Sequence, residues 1–174
     1  PSDLFMIGEA GLKWSAEGRR DGRLGLGAWH HTGSFSRFDG GHDSGTSGVY
    51  LVLDQILWRE HPEEKDDQRG VAMYFQYGHA DSAVSTIVNH VGGGLIWTGA
   101  IPTRAGDVTG MGLSWAGLSD ARNADLHQHD ELVVEGFYKI RLNGWLSLKP
   151  DLQFIHNARD RDTVVGTIQL VADF

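Results

Sequence analysis

Glu131, Glu135, Lys139 and Arg141 share one parity in a single stretch of the chain, and Lys149, Asp151 and Gln153 share one parity in the next. Alternate residues of a β-strand face the same side, so each set would line one face. Carboxylates, cations and an amide on a common wet face can exchange hydrogen bonds with hydroxyl-rich solutes such as sugars. Trp29 and Phe137 fit the same chemistry, because flat ring faces suit sugar C–H groups. Glu9, with Lys13 four residues on, reads as an inward ion pair. The competing reading of all these charges is structural, as neighbouring cross-strand ion pairs that fill a wall.

Other chemistries have weaker support. His127 and His129 with Asp130, or His30, His31 and His42, could be taken for metal ligands. The spacing places no third ligand, so no metal is assigned. Glu131 and Glu135 could be taken for a glycosidase pair, but no second cue places an acid and a base on either side of a bond. The expectation is therefore a protein that is not an enzyme and uses no cofactor.

The elements that position these groups are long alternating strands. Leu132, Val134, Tyr138, Ile140 and Leu142 oppose the first charged set; Leu146, Leu148, Leu152 and Phe154 oppose the second. Val164, Ile168, Leu170 and Phe174 likewise oppose Thr167, Gln169 and Asp173. The first two stretches are joined at Asn143-Gly144, read as a type I′ hairpin with positive φ at both residues. Going back along the chain, strands are expected near 4–14, 23–32, 48–59, 71–77, 90–99 and 107–118, about nine in all. Residues 33–47 read as a long loop rich in Gly, Ser and Asp.

Faces this long exceed the five to six residues usual in soluble sheets and match the roughly nine to eleven needed to cross hydrocarbon. In composition, the 174-residue chain has 24 Gly, 4 Pro, no Cys and a formal net charge of -8. The lack of Cys removes thiolate metal sites and disulfides. The negative charge, with no basic patch, argues against nucleic acid. No run of about eighteen apolar residues is present, so no transmembrane helix is expected.

The fold class is thus all-β, an antiparallel transmembrane β-barrel, with residues 1–174 forming part of a single barrel domain. Trp14, Trp58, Trp97, Trp145 and Phe174 fall at the short-turn ends of their strands, and Trp29 and Trp115 towards the others, as interfacial girdles require, although the phase of Trp145 disagrees with Leu146 and Leu148 and it is not counted as lipid-facing. Single-chain bacterial barrels have even strand numbers, so nine strands imply a C-terminal part of something larger. Two alternatives stay open. One is a complete small barrel with a structural or adhesive role; the other is a soluble sugar-binding β-sandwich.

Four segments then carry a family resemblance: Gly48-Val-Tyr-Leu-Val-Leu-Asp-Gln55; Gly94-Leu-Ile-Trp-Thr-Gly-Ala-Ile-Pro-Thr-Arg104 with Asp107 and Gly110; Glu131 through Tyr138; and Leu148-Lys-Pro-Asp-Leu-Gln-Phe-Ile155. In this order they resemble the C-terminal half of the carbohydrate-selective porin family, OprB type. The resemblance implies a Gram-negative outer-membrane barrel of about sixteen strands that passes glucose-type sugars by diffusion. It also implies outer-membrane lipid around the barrel and an N-terminal remainder of the same barrel as partners, and it leaves a homotrimer open. One departure is His156-Asn157-Ala158, where family members commonly carry a Pro.

Overall fold

A computed structural model describes residues 3–15, 20–64, 66–121, 124, 130–157 and 161–172. Nine strands form a single antiparallel sheet in sequence order: β1 (Phe5–Trp14), β2 (Gly22–Ser36), β3 (His42–Arg59), β4 (Gly70–Ala80), β5 (Ile87–Thr98), β6 (Val108–Leu118), β7 (Asp130–Arg141), β8 (Leu146–Asn157) and β9 (Thr163–Ala172). Every pairing is between chain neighbours, so the sheet is a meander whose edges are β1 and β9. There is no second sheet among the described residues, and the β-sandwich alternative, which needs one to cover the apolar face, falls. β1 and β9 do not pair, so the described strands do not close into a small barrel either.

The register shows why the two faces differ. Residues paired across antiparallel strands lie on the same face. One row runs Leu12, Leu24, Leu53, Phe75, Gly93, Leu113, Val134, Phe154, Val164 across all nine strands. The adjacent row, one residue along each strand, runs Lys13, Arg23, Asp54, Tyr74, Gly94, Gly112, Glu135, Gln153, Val165. The first is apolar and the second is charged or polar, as expected where one face meets lipid and the other water. This register also resolves β3, whose nearly continuous apolar run has no readable phase: Val49, Leu51 and Leu53 face outward, Tyr50, Val52 and Asp54 inward.

Exposure is inverted relative to a water-soluble domain. Outward Leu12, Met111, Leu152, Ile168 and Leu170 are exposed, whereas Asp107, Ser147, Asp151 and Asn157 are buried. Val88 is the one buried hydrophobic residue among those described. An apolar surface this extensive is an interaction surface, and its strands are as long as those that cross hydrocarbon. The tryptophans mark the limits of that band. Trp58 and Trp97 both pair with Val71, and Tyr77 and Trp115 both pair with Val91, giving one ring-bearing row near each end of the strands.

Several expectations need correction. Residues 33–47 are not a loop: β2 and β3 extend to Ser36 and His42 across a register shift between His31 and Ser34, leaving only 37–41 as the tip. Gly-Ser-Phe-Ser at 33–36 and His-Asp-Ser-Gly-Thr-Ser at 42–47 are in strand conformation despite a loop-like composition. Asn143-Gly144 is not a type I′ turn, since neither residue has positive φ. The Asn143 side chain accepts from the amides of Trp145 and Leu146, at 2.9 Å each, and the Leu142 amide donates to the Leu146 carbonyl at 3.0 Å. An Asn side chain closing its own turn in this way replaces the left-handed backbone. Phe174, Asp173, His127 and His129 lie outside the described residues.

The short-turn side is held by ion pairs and backbone hydrogen bonds. Asp67 takes the Arg69 amide and guanidinium, and Arg59 reaches Asp21 at 3.4 Å. Hydrogen bonding from Arg69 holds the Asp67 carboxyl down at about 2. On the other side, the 37–41 tip donates from the Phe38 amide to the Ala83 carbonyl at 3.0 Å, and Ser119 Oγ donates to the Ser82 carbonyl at 2.6 Å. The longer loops there are therefore tied to one another.

Candidate functional site

The inner face of β7 and β8 brings the first two charged sets together. Glu135 pairs with Gln153 in register, and its carboxylate accepts from Lys149 Nζ at 3.3 Å and from Gln153 Nε2 at 3.3 Å. Lys149 also stands 4.3 Å over the centroid of the Phe137 ring, a cation–π contact. Phe137 pairs with Asp151, and Asp151 accepts from Thr167 Oγ1 with one oxygen; the other is buried and makes no hydrogen bond. Glu131 lies on the same face, opposite Asn157 and Ala116. Lys139 and Arg141 share that phase further toward the turn, where Arg141 Nε donates to the Asn143 carbonyl at 3.3 Å.

Glu9 is inward, but its partner is Arg23, not Lys13. Residues four apart on a strand are separated by about 13 Å, too far for an ion pair, whereas Arg23 reaches Glu9 from the neighbouring strand. The same spacing separates Glu131 from Glu135, and glycosidase carboxylates stand about 5 to 9.5 Å apart. His30 and His31 fall on opposite faces of β2: His30 Nδ1 bonds Ser47 Oγ at 2.8 Å, and His31 Nδ1 accepts the Gly33 amide at 2.9 Å. Neither joins His42 in a ligand set.

Trp29 faces inward, as expected, and is one of four inner rings that repeat a single arrangement. Trp29 pairs with Gly48, Tyr50 with Gly27, Tyr74 with Gly94, and Phe137 with Gly110. In each pair the ring occupies the space a Cβ on the glycine would take: such a carbon would meet Trp29 Nε1 at 2.5 Å, Tyr74 Cε1 at 2.8 Å and Phe137 Cε1 at 2.5 Å, and would overlap Tyr50. Tyr74 reaches far enough for its hydroxyl to lie over Gly112 on the strand beyond. Covering a strand glycine with a cross-strand aromatic is a known stabilising device. Within the Gly92-Gly93-Gly94 run of β5, Gly94 is the seat of the Tyr74 ring, while Gly92 faces Gln76 and Gly93 lies in the outer row beside Phe75. Sequence reasoning missed Tyr50 and Tyr74; their signal, a ring opposite a glycine, exists only once the register is known.

A recess of about 100 Å³ lies among Tyr74, Gly112, Ser114, Glu135 and Phe137 on this inner wall. A larger one of about 720 Å³ near the long-loop end is lined in the outer phase by Met6, Ala28 and Val49 together with His30, Ser47, His79 and Asp81, and reaches the inner-phase Trp29. The charged cluster of Glu135 and Lys149 is on the inner wall.

At the short-turn end of that wall the 99–107 turn is clamped. Asp107, 3% exposed, accepts from Arg104 Nε at 2.7 Å, from the Tyr138 hydroxyl and from the Arg141 amide at 2.9 Å. Burial pushes the Asp107 carboxyl up, but the hydrogen bonds from Tyr138, Arg104 and the Arg141 amide outweigh it and hold the group below the ordinary carboxylate value. Thr103 in this turn has φ 73°, a left-handed conformation that costs a β-branched residue about 1 to 2 kcal/mol. Thr103→Asn should therefore stabilise the refolded protein by about 0.5 to 1 kcal/mol, seen as a higher urea midpoint, because Asn tolerates that conformation without the entropy cost of Gly.

Comparison with known proteins bears on this geometry. The solved structure of Pseudomonas putida OprB, described as a high pH structure, superposes with a TM-score of 0.85 at 20% identity, covering 98% of this chain and 48% of that one. At this identity the likeness establishes the fold, and the chain spans about half the length of that protein. No curated protein matches. A family model described as carbohydrate-selective porin, OprB family, matches residues 4–174. With its ordered motifs, inside-out exposure and nine-stranded meander, the chain belongs to the carbohydrate-selective porin family.

Proposed function

We propose that this chain forms one wall of an outer-membrane pore through which sugars of the glucose type diffuse passively. The observation that carries the reading is the inner face itself. It bears Glu135 in contact with both Lys149 and Gln153, with Glu9, Arg23, Glu131, Lys139, Arg141 and Asp151 on the same side, opposite a face whose central rows are apolar. Such a wall stays hydrated and offers donors and acceptors of both charge signs to hydroxyls. Passage requires no reaction, and no acid–base pair of catalytic geometry is assigned.

The partners follow from the same layout. The open edges β1 and β9 have unpaired backbone groups, and in lipid each such group costs several kcal/mol. Further strands of the same barrel are the natural complement, in keeping with the 48% of the OprB chain that is covered. Lipid of a Gram-negative outer membrane covers the apolar face, and sugars occupy the lumen. A homotrimer remains a proposal on family grounds; its test is the mass of the full-length porin in detergent.

The pore reading is tested with the full-length porin in a planar bilayer, where conductance should fall as glucose is added. No conductance in any membrane would sink it. Glu135→Ala should weaken glucose block about threefold to tenfold by removing the acceptor shared by Lys149 and Gln153. Val134→Ala, on the opposite face of the same strand, should leave block unchanged. Equal effects would show that Glu135 is not a solute contact.

A further inference from the structure

On the outward side of the short-turn end, alternate residues of β3, β4 and β5 converge. Trp58 and Trp97 both pair with Val71 in one row. Glu60, Arg69 and Gly99 lie two positions further toward the turns, on the parity of Trp58, Val71 and Trp97, and the Glu60 amide donates to the Arg69 carbonyl at 3.0 Å. Together with Ile101 of the 99–107 turn, the two tryptophans and these three residues line a recess of about 410 Å³. Trp58, Trp97 and Ile101 are exposed. Tryptophans at the limit of an apolar band sit at headgroup level, so the recess opens at the depth where lipid headgroups begin.

The recess holds a charge of each sign, and both are positioned by the fold. Arg69 donates from Nε to Asp67 at 2.9 Å, and its aliphatic stem lies on Gly99, where a Cβ would meet Arg69 Cγ at 2.6 Å. Held from two sides, the guanidinium keeps Nη1 3.6 Å from Glu60 Oε2. On the other side of that carboxylate, His61 Nε2 stands 3.7 Å from Oε1. Both separations exceed a hydrogen bond, so neither neighbour closes off the carboxylate, which is 40% exposed. Asp67 offsets the Arg69 charge, and Glu60 leaves the set one negative charge in excess. The recess therefore attracts a cation first and has a guanidinium nitrogen beside it for an anion.

Resting on the reading of this chain as the wall of a membrane pore, we propose that Glu60, Arg69, Trp58 and Trp97 form a binding site for the headgroup of a zwitterionic phospholipid that bears a primary ammonium. The ammonium N–H groups donate to the Glu60 carboxylate, Arg69 Nη1 donates to the phosphate, and the tryptophans with Ile101 flank the glycerol and the first methylenes of the acyl chains. A choline headgroup has no N–H to donate, and a glycerol headgroup has no cation, so the site distinguishes both from its ligand. A lipid held in this way bridges the 60–69 and 99–107 turns at the membrane surface.

The test places the full-length porin in vesicles of phosphatidylethanolamine, phosphatidylcholine and phosphatidylglycerol in equal amounts with identical acyl chains, and counts the lipids that stay bound after detergent extraction by native mass spectrometry. Wild type should retain phosphatidylethanolamine over each of the others about threefold to tenfold, the range for one charge-assisted hydrogen bond at a half-exposed site. Glu60→Gln keeps the side-chain shape and the backbone hydrogen bond of residue 60 and should remove the preference. Glu63→Gln, in the same turn but outside the recess, should keep it. Equal retention of all three lipids by wild type, a preference that survives Glu60→Gln, or one lost equally in Glu63→Gln overturns the site. Phosphatidylglycerol retained as strongly as phosphatidylethanolamine also overturns it, because the phosphate alone would then be recognised. Wild-type porin that inserts and conducts without any response to glucose overturns the sugar-pore reading instead and leaves the headgroup site in place.

Discussion

Val134→Arg should destabilise the bilayer-refolded porin by about 2 to 4 kcal/mol, the cost of an Arg on the lipid face near the midplane, whereas Val133→Arg should fold nearly as well as wild type. The two positions are adjacent, carry the same residue and belong to the same strand, so propensity and local sequence cancel in the comparison. Val134 sits between Leu113 and Phe154 on the apolar face, and Val133 between Ser114 and Ile155 on the inner one. Val133→Arg should instead change ion selectivity, by adding a cation to the wet wall. Urea titration of both variants in lipid vesicles gives the stability difference, and reversal potentials in planar bilayers give the selectivity. Equal destabilisation would mean that the two faces meet the same medium.

Asp107→Ala should cost about 2 to 4 kcal/mol, chiefly by leaving the Tyr138 hydroxyl and the Arg141 amide without their acceptor. Arg104 is 42% exposed on its side chain, and its ion pair adds at most a small share. The clamp should also depend on pH. Hydrogen bonding to the charged form depresses the carboxyl in the folded protein, so the stabilisation is complete above the ordinary Asp value of about 3.9. It is lost as pH falls through the lower folded value. Asp107→Asn should therefore lag wild type at neutral pH and converge with it in acid below about pH 4. A gap that stays constant from pH 7 to pH 3 would show that the carboxylate charge is not what holds the turn.

The clamp also shows what a motif can and cannot disclose. The segment from Gly94 to Arg104 with Asp107 and Gly110 stood out in the sequence, but its physical purpose needed the fold. Asp107 bonds to Tyr138 and Arg141, more than thirty positions away, and Gly110 makes room for Phe137. Cross-strand partners at that separation leave no local signature. The exchange of Lys13 for Arg23 as partner of Glu9 has the same origin, as does the seating of Tyr50 and Tyr74 on glycines. The Asn143 turn failed differently: a side-chain acceptor and a left-handed backbone are alternative ways to close a hairpin, and the dipeptide does not choose between them.

What the sequence determined by itself was the period. Alternation of apolar and polar residues over ten or more positions specifies strands, two unlike faces and nine crossings, because side-chain direction on a strand depends only on parity. It placed Glu131, Glu135, Lys139, Arg141, Lys149, Asp151 and Gln153 on one side of the sheet. The tertiary structure decided which of them touch. Register is a relation between strands, fixed by turns and bulges such as those at Ile56/Trp58 and Ile87/Asn89. Only register could bring Glu135 to Lys149 and Gln153, lay four rings on four glycines, and turn a list of inward residues into a wall.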